Sequence, residues 1–148
     1  MTHEYTATVR WTCEGDFAKG RYSRAHTWEF DGGAVVPGSA SPLAVPLPYA
    51  DESAVDPEEA FVAAVSSCHM LWFLDLAKRA GYVLAAYSDT AIARMEGTPN
   101  PWITRVDLYP QIEWVGTAPD TQEIAALHHE AHARCFIANS IKSDVVVN

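Results

Sequence analysis

Three cysteines are the residues whose type most readily carries chemistry in this sequence: Cys13, Cys68 and Cys135. An odd and small number in 148 residues does not make a disulfide scaffold, and a disulfide between any two would be as open to a chemical role as to a structural one. Cys68 and Cys135 each lie among residues that suit a core. On composition alone each is therefore read as a buried, inert thiol, and Cys13, at the end of an apolar strand face, keeps that interpretation.

Histidines near the cysteines allow a metal-binding interpretation. His128 and His132 are four positions apart and Cys135 follows three further on, so the three lie close to one face of a helix and could ligate zinc. Cys68 would complete a tetrahedral set. The alternative is that His128, His129 and His132 cap, pack or face solvent on an amphipathic helix, and His69 beside Cys68 is left without a role.

Alternation and turn residues predict an antiparallel first part of the chain. Residues 5–13 alternate apolar and polar side chains and predict a half-buried strand, and residues 22–30 predict a second. Five prolines within residues 34–57 exclude a helix and predict extended or loop structure. Further strands are predicted over 82–95 and 103–115, joined by a hairpin-like loop, and a short strand closes the chain at 144–147.

Two helices are expected to position the cysteines. Asp56, Pro57 and Glu59 supply an N-cap, a first-turn proline and a capping-box carboxylate, and Gly81 supplies a stop, so the first helix is predicted to run to about Ala80. A second capping box predicts a helix from Asp120 to about Ile141. The first helix is apolar nearly all round, which places it at the centre of the molecule or of an oligomer.

Composition bounds the class of protein. The length predicts one domain over residues 1–148, and a net charge of −9 argues against nucleic acid and anionic membrane surfaces as partners. The apolar stretch 60–74 is 15 residues long, whereas a membrane span needs about 20. Because no secretory signal is predicted at the N-terminus, a cytoplasmic location is expected.

The segment from Asp56 to Cys68, followed by an apolar helix that ends Ala80-Gly81-Tyr82, resembles the osmotically inducible protein C and organic hydroperoxide resistance (OsmC/Ohr) family. In that family a Pro-Glu helix start precedes a reactive cysteine by ten positions, and a later helix carries a second cysteine. The resemblance covers nearly the whole chain. It implies an α+β fold, with two long central helices packed against antiparallel sheets in an intertwined homodimer.

The same resemblance implies the activity and the site. Family members are thiol peroxidases that prefer organic hydroperoxides, use no cofactor and are reset by a dithiol, of lipoyl type in some members. Cys68 matches the peroxidatic cysteine, Cys135 the resolving cysteine, and Glu58 the carboxylate that orients an arginine. That arginine is expected from the N-terminal hairpin, where Arg24 is preferred over Arg21. Where the family commonly has proline after the second cysteine, this chain has Phe136.

The chemistry of such a site follows from the thiolate. Only the thiolate attacks the O–O bond, and a cysteine with an ordinary pKa of about 8.5 is little ionised at neutral pH. A guanidinium stabilises the thiolate, and a carboxylate holds the guanidinium in place. The resulting sulfenic acid condenses with a second thiol. An apolar pocket would favour a fatty or aromatic hydroperoxide, and the residues available to line it are Phe61, Trp72, Phe73 and Phe136.

The spacing of Glu58 and Cys68 constrains this arrangement. Ten residues on one helix separate the two by about 15 Å along the axis. Either the helix begins later than Asp56 suggests, or Glu58 serves the Cys68 of a second subunit. We therefore expect a site that is built across a two-fold dimer interface.

Overall fold

The computed structural model describes residues 1–148, and it shows an α+β protein with ten strands and two α-helices. Contacts group the chain into two compact units, Met1–Ala60 and Phe61–Asn148. The predicted fold class is confirmed.

The N-terminal unit contains a three-stranded antiparallel sheet of β1 (Ala7–Arg10), β4 (His26–Phe30) and β5 (Val35–Gly38), in the order β1-β4-β5. A small hairpin joins β2 (Gly15–Asp16) and β3 (Arg21–Tyr22).

The prediction that residues 5–13 form a half-buried strand is wrong. β1 covers only four of these residues and all four are exposed; Val9 is 65% exposed. Cys13 lies outside the strand and is exposed rather than buried. The reason is that the apolar side chains here have little of their own chain to pack against, and Trp11, Phe17 and Tyr22 pack on one another with ring centroids 4.8–5.9 Å apart.

One tight contact lies in the N-terminal sheet where β4 begins and β5 ends. Trp28 Nε1 donates to His26 Nε2 over 2.8 Å, and His26 Nδ1 donates to the backbone oxygen of Arg24 over 2.7 Å. Gly38 lies opposite His26 in the register, and a Cβ at this position would stand 2.6 Å from both His26 Nε2 and Trp28 Nε1. Only glycine therefore fits beside this pair.

Helix α1 (Pro57–Arg79) begins and ends as the sequence predicts. Glu59 N donates to Asp56 Oδ1 over 2.8 Å, and Asp56 N donates to Glu59 Oε1 over 3.2 Å, which completes the capping box. Gly81 follows the helix with a φ of +88°, the left-handed conformation that favours glycine.

The C-terminal unit contains two further sheets. β7 (Ile92–Glu96) and β8 (Trp102–Leu108) pair antiparallel, and β10 (Asp144–Val147) pairs parallel with β8. β6 (Val83–Asp89) pairs with β9 (Pro110–Val115) in a separate two-stranded sheet.

Each of the long strands predicted over 82–95 and 103–115 is therefore two shorter strands. Asp89 Oδ1 accepts a hydrogen bond from Tyr109 N over 2.7 Å. Because this bond joins the two breaks, both segments leave one sheet and enter the other at the same point.

Helix α2 (Thr121–Arg134) is shorter than predicted. The capping box of Asp120 and Glu123 forms at its start, but the helix ends at Arg134 and not near Ile141. Cys135 caps the end with extended backbone, and a short 3-10 helix follows at Ala138–Ser140. No glycine or proline marks the end of α2, and for this reason the sequence did not predict it. The expectation of two long helices is met only by α1, which has 23 residues, whereas α2 has 14.

Two apolar clusters form the core of the C-terminal unit. One is Val65 of α1 with Val106 and Leu108 of β8; the other is Phe73, Ala77 and Ala131, and so joins α1 to α2.

The opposite side of α1 is not covered. Leu71 is 60% exposed, and Ala63, Ala64 and Ser67 on the same side are also exposed. α1 is the one helix whose length and apolar composition would suffice to cross a membrane, a test that core helices of soluble proteins also pass.

The contact at Gly38 generates a prediction about stability. Gly38→Ala is expected to lower the free energy of unfolding by about 1–3 kcal/mol, because the new methyl group must push His26 and Trp28 apart. Gly32→Ala is the matched control, since a Cβ there meets nothing within 4 Å. Urea titration measures both variants. Equal stability of the two variants would contradict the packing described.

Candidate functional site

The two cysteines of α1 and α2 meet. The Cys68 thiol lies close enough to the Cys135 thiol to raise the pKa of the latter, and both cysteines are free thiols in the structure. Cys68 lies near the middle of α1, and Cys135 is the residue on which α2 ends. Cys135 therefore has an extended and not a helical backbone conformation.

The environments of the two thiols differ. Cys68 is partly exposed, whereas Cys135 is 1% exposed. Burial raises the pKa of Cys135 to about 11; the neighbouring Cys68 thiol adds to this rise, and a backbone hydrogen bond from Ala138 N opposes it. At neutral pH Cys135 is thus a protonated thiol that solvent does not reach.

A pair of buried histidines links the same two helices. His69 Nε2 and His128 Nδ1 lie 2.9 Å apart and share one hydrogen bond. The two rings are nearly coplanar, at 10°, and the His128 ring stacks on Phe73 with centroids 4.2 Å apart. Residue spacing did not predict this contact, because the two histidines lie on different helices. His128 and Cys135 are seven positions apart, so they lie on the same side of α2.

Burial keeps both imidazoles neutral. It lowers the pKa of His69 to about 4 and that of His128 to about 4; for His69 the nearby His128 and His132 add to the effect, and Asp89 opposes it for both rings. Asp89 also accepts a hydrogen bond from Ser66 Oγ over 2.5 Å. The sequence offered no signal for Asp89, because it acts from the end of a strand.

The alternative metal site of His128, His132, Cys135 and Cys68 does not form. No group of three or more His, Cys, Asp or Glu side chains is arranged to hold a metal ion. The reason is visible at His128, whose Nδ1 is already bonded to His69. His132 Nδ1 is buried without a hydrogen-bond partner.

The expected arginine and carboxylate lie in the N-terminal unit and do not meet within the chain. Arg24 donates to the backbone oxygens of Tyr22 and Gly20, and its guanidinium lies 3.6 Å from the centroid of the Tyr22 ring. No ion pair joins Arg24 to Glu58, which is partly exposed. Arg21 is exposed on β3.

Arg24 borders a groove in the same unit. The groove has a volume of about 370 Å³ and is mostly apolar. The aromatic side chains along it are Trp11, Phe17 and Tyr22, with His26 and Ser39 as polar members. The preferred arginine thus stands at the edge of an apolar surface, whereas Arg21 does not line the groove.

A second aromatic group lies beside the thiols in the C-terminal unit. Trp72 is one helical turn beyond Cys68, and its ring meets the ring of Phe136 edge to face at 5.4 Å. Phe136 directly follows Cys135 and is 68% exposed. Phe73, which was expected to line a pocket, is instead fully buried in the core.

The fold and the site define a class: an α+β protein in which two helices bring two free thiols together. Residues 50–148 match the model of the OsmC-like protein family, and the chain belongs to that family. The resemblance seen in the sequence is confirmed. No curated protein matches the sequence.

Solved structures extend this comparison. An OsmC-like protein of unknown function from Vibrio cholerae is 45% identical, with 99% of each chain covered and a TM-score of 0.95. The organic hydroperoxide resistance protein OsmC from Legionella pneumophila is 23% identical over 99% of this chain and 96% of that one, with a TM-score of 0.68. The organic hydroperoxide resistance protein OhrB of Bacillus subtilis is 19% identical over 97% of each chain, again with a TM-score of 0.68. The last two share the fold.

The buried imidazoles predict how stability depends on pH. Their ordinary pKa is 6.5 and the folded value is about 4, so the unfolded chain binds more protons between these limits and stability falls as the pH falls through this window. At pH 5 the loss relative to pH 7.5 is roughly 2 kcal/mol for each ring.

Urea titration at the two pH values measures this loss. His69→Gln/His128→Gln is expected to lose less stability than the native chain, because both titrating rings are gone. His129→Gln, at an exposed position on the same helix, is the control and keeps the native dependence. An equal loss in the double variant and in the native chain would contradict the assignment.

Proposed function

We propose that this protein is a thiol-dependent peroxidase that reduces organic hydroperoxides. One observation carries the proposal: the partly exposed Cys68 thiol is a near neighbour of the fully buried Cys135 thiol and raises its pKa. A peroxide can approach Cys68 but not Cys135, and the raised pKa of Cys135 keeps that thiol protonated. The environments therefore favour Cys68 as the nucleophile and Cys135 as the resolving residue.

The reaction proceeds in three balanced steps. The Cys68 thiolate attacks the terminal peroxide oxygen and the O–O bond breaks, so that the hydroxyl group stays on Cys68 as a sulfenic acid and the alkoxide takes a proton from water and leaves as an alcohol. The Cys135 sulfur then displaces the sulfenic hydroxyl, and water leaves with the thiol proton. An external dithiol, of lipoyl type or similar, reduces the disulfide and is itself oxidised. No cofactor is required, and a cytoplasmic location suits a couple that must be reduced again.

Arg24 and Glu58 are proposed to activate Cys68 across a homodimer. Because α1 begins at Pro57, a later helix start does not explain the ten-residue gap between Glu58 and Cys68. Glu58 has no partner within its own chain, and the side of α1 that carries Leu71 is uncovered. A second copy would cover this apolar surface and bring a carboxylate and a guanidinium to each thiol.

Aromatic surface next to the thiols supports an organic substrate. Trp72, partly exposed one turn from Cys68, and Phe136, exposed directly after Cys135, form an aromatic pair, and the Arg24 groove is also aromatic. Burial of the organic part of a hydroperoxide against such rings contributes binding that hydrogen peroxide cannot match.

Intact mass tests the redox couple. One equivalent of cumene hydroperoxide is expected to lower the intact mass by about two hydrogens, and alkylation of a separate sample after denaturation is expected to leave two thiols unmodified. Cys68→Ser is expected to abolish this change, and Cys135→Ser is expected to gain one oxygen instead. Cys13→Ser is the control and behaves as the native chain. Full alkylation of the treated native protein would contradict the proposal.

Mixing two variants tests the shared site. Glu58→Gln and Cys68→Ser are each expected to lose at least about tenfold in activity. When the two chains are refolded together, half of the dimers contain one chain of each kind. In each of these, one of the two sites pairs a native Cys68 with the other chain's Glu58.

Such mixing is expected to restore about one quarter of native activity. Glu58→Gln mixed with Glu58→Gln/Cys68→Ser is the control, because every site in it lacks Glu58. Equal activity of the two mixtures would show that Glu58 serves its own chain or neither.

A further inference from the structure

The bond between His69 and His128 lies beside the two cysteines and has no role in the steps above. His69 directly follows Cys68 on α1, and His128 precedes Cys135 by two turns on the same face of α2. Both rings are buried, at 1% and 9% exposure. The pair is therefore a second cross-link between the helices that carry the thiols.

The energetics of this pair do not favour a purely stabilising role. A buried polar ring costs free energy that an apolar ring in the same place would not. His69 Nδ1 is also buried without a hydrogen-bond partner, which adds to that cost. An apolar pair such as leucine with phenylalanine would fill the core beside Phe73 more cheaply. The advantage of the polar pair must then be that a hydrogen bond fixes the relative orientation of the two helices, which apolar contacts do not.

Disulfide formation requires a defined orientation of the two cysteines. A disulfide forms only when the two Cβ atoms approach to about 3.5–4.5 Å with a restricted dihedral angle. The apolar contacts of Phe73, Ala77 and Ala131 hold α2 against α1, but because such contacts are not directional they leave α2 some freedom to rotate. A hydrogen bond of 2.9 Å two turns from Cys135, with the His128 ring held flat on Phe73, removes that freedom.

We propose that His69 and His128 are positioning residues that hold α2 against α1 so that Cys135 can close the disulfide on Cys68. This inference rests on the proposed function, since it assigns a role in the resolving step. It concerns the geometry of the thiol pair, and it makes no claim about the attack on peroxide.

Equilibration with reduced and oxidised glutathione tests the inference without any peroxide. The ratio of disulfide to dithiol in this buffer gives the effective concentration of one thiol at the other. His69→Leu and His128→Leu are each expected to lower this value by at least about tenfold, and the double variant is expected to lower it no further. His128→Gln can still donate and accept, so it is expected to recover part of the loss.

Two controls separate positioning from general damage. His129→Leu changes an exposed histidine on the same helix and is expected to leave the effective concentration unchanged. Urea titration identifies conditions in which every variant is folded, and only these are compared. Lower stability with an unchanged effective concentration would overturn the inference, as would losses that simply add in the double variant.

A measurement on the native chain covers the case in which the leucine variants do not fold. Imidazole ¹⁵N shifts at pH 7 are expected to show both rings neutral, each in one tautomer, in the reduced and the oxidised protein. Averaged tautomers at either ring would contradict a fixed bond. If glutathione equilibrium depends on the pair but cumene hydroperoxide is not reduced, the positioning role stands and the peroxidase proposal fails.

Discussion

The contact between the Cys68 and Cys135 thiols depends on how α2 packs on α1. The apolar contacts of Phe73, Ala77 and Ala131 hold the helices together, and α2 ends at Cys135, which is a near neighbour of Cys68. The same packing buries Cys135 and leaves Cys68 partly open. One helix contact thus both brings the thiols together and makes them chemically unequal, and the proposed division of roles follows from it.

The start of α1, the capping box of α2 and the alternation of β9 follow from local residue patterns, and the structure confirms them, whereas the alternation over residues 5–13 did not lead to burial. The end of α2 could not be predicted in this way, because neither Arg134 nor Cys135 is a helix-breaking residue. The breaks near Asp89 and Tyr109 are also hidden, since a bond between two distant strand ends creates them. Local sequence specifies caps and periods, whereas contacts between elements decide where an element stops.

The candidate site divides in the same way. The two cysteines and the residues that resemble the family are recognisable in the sequence, and so is the ten-residue interval from Glu58 to Cys68. The link between His69 and His128 is not, because the two residues lie 59 positions apart and only the packed helices join them. The spacing of histidine and cysteine on α2 suggested a metal site, but spacing on one helix does not show which ring nitrogens are already bonded to another helix.

The rate at which Cys68 reacts with an organic hydroperoxide tests the peroxidase account most directly. Stopped-flow measurement of Cys68 oxidation by cumene hydroperoxide, with glutathione as the reference thiol at the same pH, isolates the first step from the resolving step and from the reductant. The account predicts a second-order rate constant at least about a thousandfold above that of glutathione, and above that for hydrogen peroxide with the same protein. A rate constant equal to that of glutathione would mean that the site does not activate Cys68, and would contradict the account.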